Sequence, residues 1–203
     1  AYQKKIESAA KKIADHRTES HIILLSGPSG SGKTTTAMKI EEVLDNAGIE
    51  THTISMDNYF KTLNRSTAPR TPEGDVDYES PLLLDMELLD ETFTKLSRGE
   101  WVIVPKFEFA RQMRNDSQGS TLKLEKNEIA IFEGIHALND DIAGRHPEAA
   151  TLYISARSDV LEGEEVRFKG TWMRITRRAV RDYNFRGTDL TDTLCMWYNV
   201  RRG

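Results

Sequence analysis

Gly27-Pro28-Ser29-Gly30-Ser31-Gly32-Lys33-Thr34 satisfies the pattern G-x-x-x-x-G-K-[ST] in full. Glycines at these places let successive main-chain N–H groups turn inward around an anion, which predicts a phosphate cradle. In such a cradle Gly27, Ser29, Gly30, Ser31 and Gly32 supply backbone, and Lys33 reaches the β- and γ-phosphates. The Thr34 hydroxyl ligates Mg2+, and Thr35 follows on a helix whose positive end faces the phosphates. The flanks agree. His21 to Ser26 is an apolar run of strand length, and Thr35 to Asn46 has helical periodicity, so the strand–loop–helix setting is present.

The chain has 203 residues and a formal charge of −4, with 30% charged and 38% hydrophobic residues. That suits one domain of globular composition and argues against bulk attraction to nucleic acid or anionic membrane. With no apolar run of about 20 residues and no secretory leader at its start, a cytoplasmic location is expected. The single Cys195 lies among Leu194, Met196 and Trp197 and is expected to be a buried structural thiol. The histidines lack zinc-ligand spacing, and His136 is expected to be structural.

Residues 3–16 read as an amphipathic helix at the edge of the core. Strands are expected at 49–55, 101–104, 128–133 and 149–155, with a helix over 82–97. Residues 61–81 are rich in Pro, Thr, Asp and Glu and predict a long loop positioned to cover substrate. Strands separated by helices imply an α/β fold of P-loop NTPase type, a parallel sheet flanked by helices. Its functional residues fall at strand carboxyl ends, here Ser26, Asp57, Pro105 and Glu133. A small hairpin excursion is expected within 105–127 and a lid over 162–187, all in one domain over 1–203 led by an N-terminal helix within 1–20. The chain reads as a fragment of a longer one.

Glu133 ends an apolar strand, where a carboxylate can hold Mg2+ or merely cap the strand end. Asp57 at the next strand end can take the proton of an attacking hydroxyl, or can make an Asx turn. Arg174, Arg177, Arg178 and Arg181 fall within roughly 100° of one helix face, which suits a lid closing on a transferring phosphate. A solvated face or an RNA-binding patch is the alternative reading. Phe107 and Phe109 share one side of an extended segment beside Gln112 and Arg114, as stacking surfaces for a planar base or as core.

Together these marks resemble the uridine kinase and phosphoribulokinase family of P-loop kinases. They are the P-loop, Ser55 to Phe60, Asp77 to Pro81, Pro105 to Phe109, Glu133 to His136, and Arg174 to Asp182 with Arg186-Gly187. The resemblance implies ATP-dependent phosphorylation of a nucleoside 5'-hydroxyl, with Asp57 as base, Lys33, Arg174 and Arg177 assisting, and Glu133 with Thr34 at Mg2+. It also implies Arg178 and Arg181 at the nucleotide. Tyr78 and Glu79 would lie near the sugar and Phe107 and Phe109 near the base, with Tyr59, Phe60, Gln112, Arg114 and Arg186 completing the acceptor side. Gln112 stands where uridine kinases often have His, and Trp172 where an acid is usual, so the base and the lid closure are left open. Within the family the chain looks most like the bacterial kinase domains that follow a threonyl-tRNA-synthetase-like region, and its end stops short of the usual final strand. Expected partners are ATP and a small hydroxyl substrate, with a homo-oligomer permitted. Kinases of another small alcohol or sugar phosphate, and a nucleotide-dependent RNA-associated switch, are the alternatives.

Overall fold

The computed structural model describes residues 2–156 and 158–202. Its centre is a parallel four-stranded sheet in the order β2-β5-β1-β6, built from β1 (Ile22–Ser26), β2 (Glu50–Ser55), β5 (Glu128–Glu133) and β6 (Ala150–Tyr153). Side chains alternate across a strand, so consecutive apolar residues in β1 serve two cores. Ile22 and Leu24 join Phe93, Phe132, Tyr59 and Leu89 on one face. Ile23 and Leu25 join Ile40 and Leu44 of α2 (Lys33–Asn46) and Ile6 and Ile13 of α1 (Tyr2–His16) on the other. A strand buried on both faces has no need of a polar alternation, which is why β1 and β5 read as continuous apolar runs.

The expected strand at 101–104 exists but does not join the parallel sheet. Residues Val102–Glu108 form β3, which pairs antiparallel with β4 (Met113–Leu122) as a separate hairpin. The register shifts between Val104 and Lys106. Pro105, with no N–H to donate, lies at that bulge, the kind of place where a sheet tolerates proline. Pro105 is therefore inside the hairpin and not at a carboxyl edge of the main sheet, and the excursion starts earlier than residue 105.

The helix expected over 82–97 is α3 (Met86–Ser97), preceded by a 3-10 turn at Pro81–Leu83. Its start is set by Asp85, whose side chain accepts a hydrogen bond from the Leu88 N–H and another from Arg114 Nη1 at 2.7 Å. Beyond α4 (Asp140–Ala143) and β6 comes a second hairpin, β7 (Val160–Glu162) with β8 (Glu165–Phe168). The long α5 (Gly170–Phe185) follows and packs on α6 (Leu190–Arg202). Cys195 is exposed, contrary to expectation. Its apolar sequence neighbours point to different sides of α6, and Leu194 beside it is half exposed. No described helix is long and apolar enough to cross a membrane.

Asp85 couples the cap of α3 to the hairpin. Burial would raise its pKa, but the hydrogen bonds from Arg114 and Leu88 outweigh that and hold it below the usual 3.8. Stability contributed by a depressed carboxylate is present above the unfolded value and lost as pH falls through the folded one. Asp85→Ala should therefore cost about 1–2 kcal/mol at pH 7 in urea unfolding. The gap between variant and wild type should shrink once the pH drops below 3.8.

Candidate active site

The loop between β1 and α2 has the geometry its glycines predict. Gly30 and Gly32 have φ of 75° and 94°, in the left-handed region, and α2 begins at Lys33. Gly30 is fixed by more than its dihedral, because a Cβ there would lie 2.7 Å from the Arg174 carbonyl oxygen. Helix α5 thus lies directly on the P-loop.

The sheet order brings the acidic groups to this loop. β5 lies between β1 and β2, so Glu133 at its end faces Thr34, whose Oγ1 donates to Glu133 Oε1 at 2.8 Å. Asp57 lies just past β2, in the 3-10 turn Met56–Tyr59. Lys33 is half-buried near these carboxylates. Burial lowers its pKa, and Glu133 and Asp57 act in the opposite direction. Burial likewise raises the Glu133 carboxyl, with Lys33 opposing. A hydroxyl and a carboxylate already in contact at the mouth of a phosphate cradle are suitable oxygen donors for a hard divalent cation.

The arginine helix differs from a solvated face. Arg174 and Arg178 are each only 7% exposed, whereas Arg177 is exposed and Arg181 half-buried. Arg174 Nε donates to the Ser29 carbonyl at 3.0 Å, and its guanidinium lies 5.4 Å from the Trp197 ring centroid on α6. Arg178 Nη1 donates to Ser29 Oγ at 2.6 Å. Arg177 Nη1 reaches toward the Ser31 carbonyl at 3.5 Å. Arg174 therefore braces the cradle's outer wall, a different position from the transfer line expected of it. Burial lowers the Arg178 pKa, with Glu79 and Asp182 opposing.

Asp182 is the residue that sequence reading passed over. Only 2% exposed, it meets Arg178 Nε at 3.2 Å, Arg181 Nη2 at 2.7 Å and Arg186 Nε at 3.9 Å. The signal was its spacing, four residues after Arg178 and four before Arg186, which aligns it with Arg178 on one stripe of the helix and with Arg186 at the helix end. Trp197 left no comparable trace, because its contact crosses between two helices.

Where an acceptor was expected to bind, Phe60, Phe107 and Phe109 form a chain of edge-to-face rings at 5.7 and 5.3 Å between centroids. Arg186 stacks 4.2 Å from the Phe109 centroid and its Nη2 lies 3.6 Å from Asp57 Oδ2. Glu79 Oε1 is 3.6 Å from Arg178 Nη1, and burial raises the Glu79 pKa against that pull. Tyr78 beside it is exposed.

Three expected acceptor contacts are placed otherwise. Tyr59 is fully buried and packs on Phe132 at 6.2 Å, so its ring belongs to the core. Arg114 is held by Asp85 and Asp116 at 2.7 and 2.9 Å. Gln112, with φ of 52°, donates its amide to the Phe109 carbonyl and fixes the turn of the hairpin. Phe107 is largely buried and supports Phe109 from behind.

The model of the phosphoribulokinase / uridine kinase family matches residues 22–202. The chain belongs to this family. It is 31% identical over 170 residues to a uridine kinase of Schizosaccharomyces pombe, covering 84% of this chain and 33% of that protein. A uridine kinase of Halobacterium salinarum is 29% identical over 171 residues, covering 84% of this chain and 66% of the relative. One from Staphylococcus aureus is 29% identical over 181 residues, covering 89% and 77%. Among solved structures, a candidate fructose transport system kinase from a Silicibacter species shares the fold with TM-score 0.69 at 17% identity, over 97% of this chain and 92% of that one. A candidate uridine kinase from Bacillus stearothermophilus gives 0.52 at 21% identity, over 65% and 68%.

In this family member the contact of α5 with the P-loop makes Gly30 sensitive. Gly30→Ala introduces both a disfavoured dihedral and a clash with main chain. The expected result is a melting temperature lower by several degrees, together with about tenfold or weaker binding of a non-hydrolysable ATP analogue in calorimetry.

Proposed function

We propose that this domain transfers the γ-phosphoryl group of ATP to the primary hydroxyl of a small acceptor, with a nucleoside 5'-hydroxyl as the leading case. The observation that carries this reading is the convergence of Lys33, the Thr34–Glu133 contact and Asp57 at neighbouring strand ends. A cradle alone binds phosphate, whereas a second carboxylate beyond the cation-binding acid gives an attacking hydroxyl somewhere to send its proton.

In this mechanism the P-loop N–H groups and Lys33 hold the β- and γ-phosphates. Thr34 and Glu133 are the residues that would hold Mg2+, which when bound neutralises charge on the phosphate oxygens. Asp57 accepts the hydroxyl proton as the acceptor oxygen attacks phosphorus and the bond to the leaving ADP oxygen breaks. Arg177 and Arg181 are the least buried of the four arginines on the α5 stripe, and with Arg186 they stabilise the equatorial oxygens. Arg174 and Arg178 position the cradle and the Glu79 carboxylate. The aromatic chain ending in Phe109 gives a flat group a surface on which to stack.

A second acceptor reading, another small alcohol or sugar phosphate, is favoured by one feature. Gln112 and Arg114, the polar groups expected to read a base edge, are both engaged within the protein. The RNA-associated reading loses its support, because two of the four arginines are buried against the P-loop.

The test is ADP release with ATP across a panel of nucleosides and small polyols. Asp57→Asn should lower kcat by about 10²- to 10⁴-fold for the preferred acceptor, with the KM for ATP nearly unchanged. Turnover no higher than background hydrolysis with every acceptor would end the kinase reading. Full transfer by Asp57→Asn would end the assignment of the base.

A further inference from the structure

The amino ends of β2 and β5 lie at the opposite edge of the parallel sheet from Glu133 and the P-loop. There Glu50 pairs in register with Glu128, so two carboxylates stand side by side on neighbouring strands. Side chains alternate along a strand, which puts His52 on the same face as Glu50. One ligand atom from each of the three lies within 4.8 Å of the others, and His52 Nε2 is 3.2 Å from Glu128 Oε2. The chemistry proposed above uses none of them.

Like charges at paired positions of two strands repel one another. Among the described residues no lysine or arginine forms an ion pair with Glu50 or Glu128, and the partner of Glu128 is His52, which is charged only when protonated. The Glu128 side chain is 16% exposed, so water relieves little of this repulsion. The main chain nevertheless holds the groups together. The Glu125 N–H donates to Glu128 Oε2 at 3.2 Å, a ring nitrogen of His21 lies 2.7 Å from the Glu128 carbonyl oxygen, and Asn127 Nδ2 donates to the Gly48 carbonyl at 2.6 Å. A tetrahedral ion with ligands at about 2.0–2.1 Å sets its ligand atoms roughly 3.4 Å apart, close to the separation of His52 and Glu128. One imidazole with two carboxylates suits Zn2+ and its transition-metal neighbours better than Mg2+ or Ca2+, which favour oxygen donors.

We propose that Glu50, His52 and Glu128 form a binding site for one divalent transition-metal ion of the Zn2+ class, which fastens β2 to β5 at the end of the sheet away from the P-loop. The ligand atoms are His52 Nε2 and one oxygen of each carboxylate, with water completing the tetrahedron. His52 binds as neutral imidazole with its ring proton on Nδ1, so the ion takes the place of the proton shared with Glu128. Its charge turns the repulsion between Glu50 and Glu128 into attraction toward a common centre. β2 is an edge strand and leads to Asp57, so the ion secures the outer strand of the sheet from its far end. The proposal is independent of the kinase reading. Spacing along the chain does not reveal the site, because His52 and Glu128 are 76 residues apart.

The experiment titrates Zn2+ into chelator-treated protein in millimolar Mg2+ by calorimetry, for wild type, His52→Ala, Glu50→Gln and Glu133→Gln, and repeats the melting temperatures with and without Zn2+. The wild type should bind one equivalent with Kd below about 50 μM, and its melting temperature should rise by several degrees when Zn2+ reaches about 100 times Kd. His52→Ala and Glu50→Gln should each weaken this binding about tenfold or more and lose most of the thermal shift, whereas Glu133→Gln, at the other candidate cation position, should keep both. Absence of saturable binding in the wild type would overturn the proposal. So would His52→Ala that binds as tightly as the wild type, or loss of the site in Glu133→Gln, since either would put the ion elsewhere. Should His52→Ala fail to fold, Glu50→Gln decides, because the Glu50 side chain is exposed and the substitution conserves its shape.

Discussion

The contact on which the site depends is that of Arg174 and Arg178 with Ser29, one guanidinium on its carbonyl and the other on its hydroxyl. Buried guanidinium groups are costly unless paired and hydrogen-bonded. The sequence meets that demand with Asp182 on the same helix, Glu79 from the long loop and the Trp197 face from α6. Helix α5, the long loop over 61–81 and α6 are thereby joined to the P-loop through two side chains. Little apolar area holds them there: the outward positions of α5 include exposed Trp172, Val180 and Tyr183.

This arrangement also explains how these buried and half-buried charges coexist. Burial pulls Lys33 and Arg178 toward the neutral form and pushes Glu79 and Glu133 the same way, while each charge opposes the effect on its partners. The network is mutually supporting, so no member can be removed without leaving another uncompensated. Sites of this kind sacrifice some folding stability for electrostatic preorganisation at the reacting atoms.

Much of the fold was legible from the chain, and the reasons are local. β1 and β5 are apolar throughout because both their faces are buried, and the P-loop is marked by glycines whose dihedrals no other residue adopts readily. The fate of 101–104 was not legible, because an apolar strand reads alike in a parallel sheet and in a hairpin packed on α3. The site divided along the same line. Glu133 and Asp57 follow from strand ends, whereas the burial of Tyr59, the internal engagement of Gln112 and Arg114, and the stack of Arg174 on Trp197 depend on contacts between segments distant in the chain. Helix periodicity placed the four arginines on one face but could not say whether that face met water or protein.

The strand order has a metric consequence. With β5 between β2 and β1, the strand that leads to Asp57 and the strand that leads to the P-loop stand two strand spacings apart, roughly 10 Å. Backbone hydrogen bonds between the paired strands fix that width. Under the proposed transfer, acceptors of different size would be accommodated from the hairpin and the long loop, which can change length and composition without altering that span.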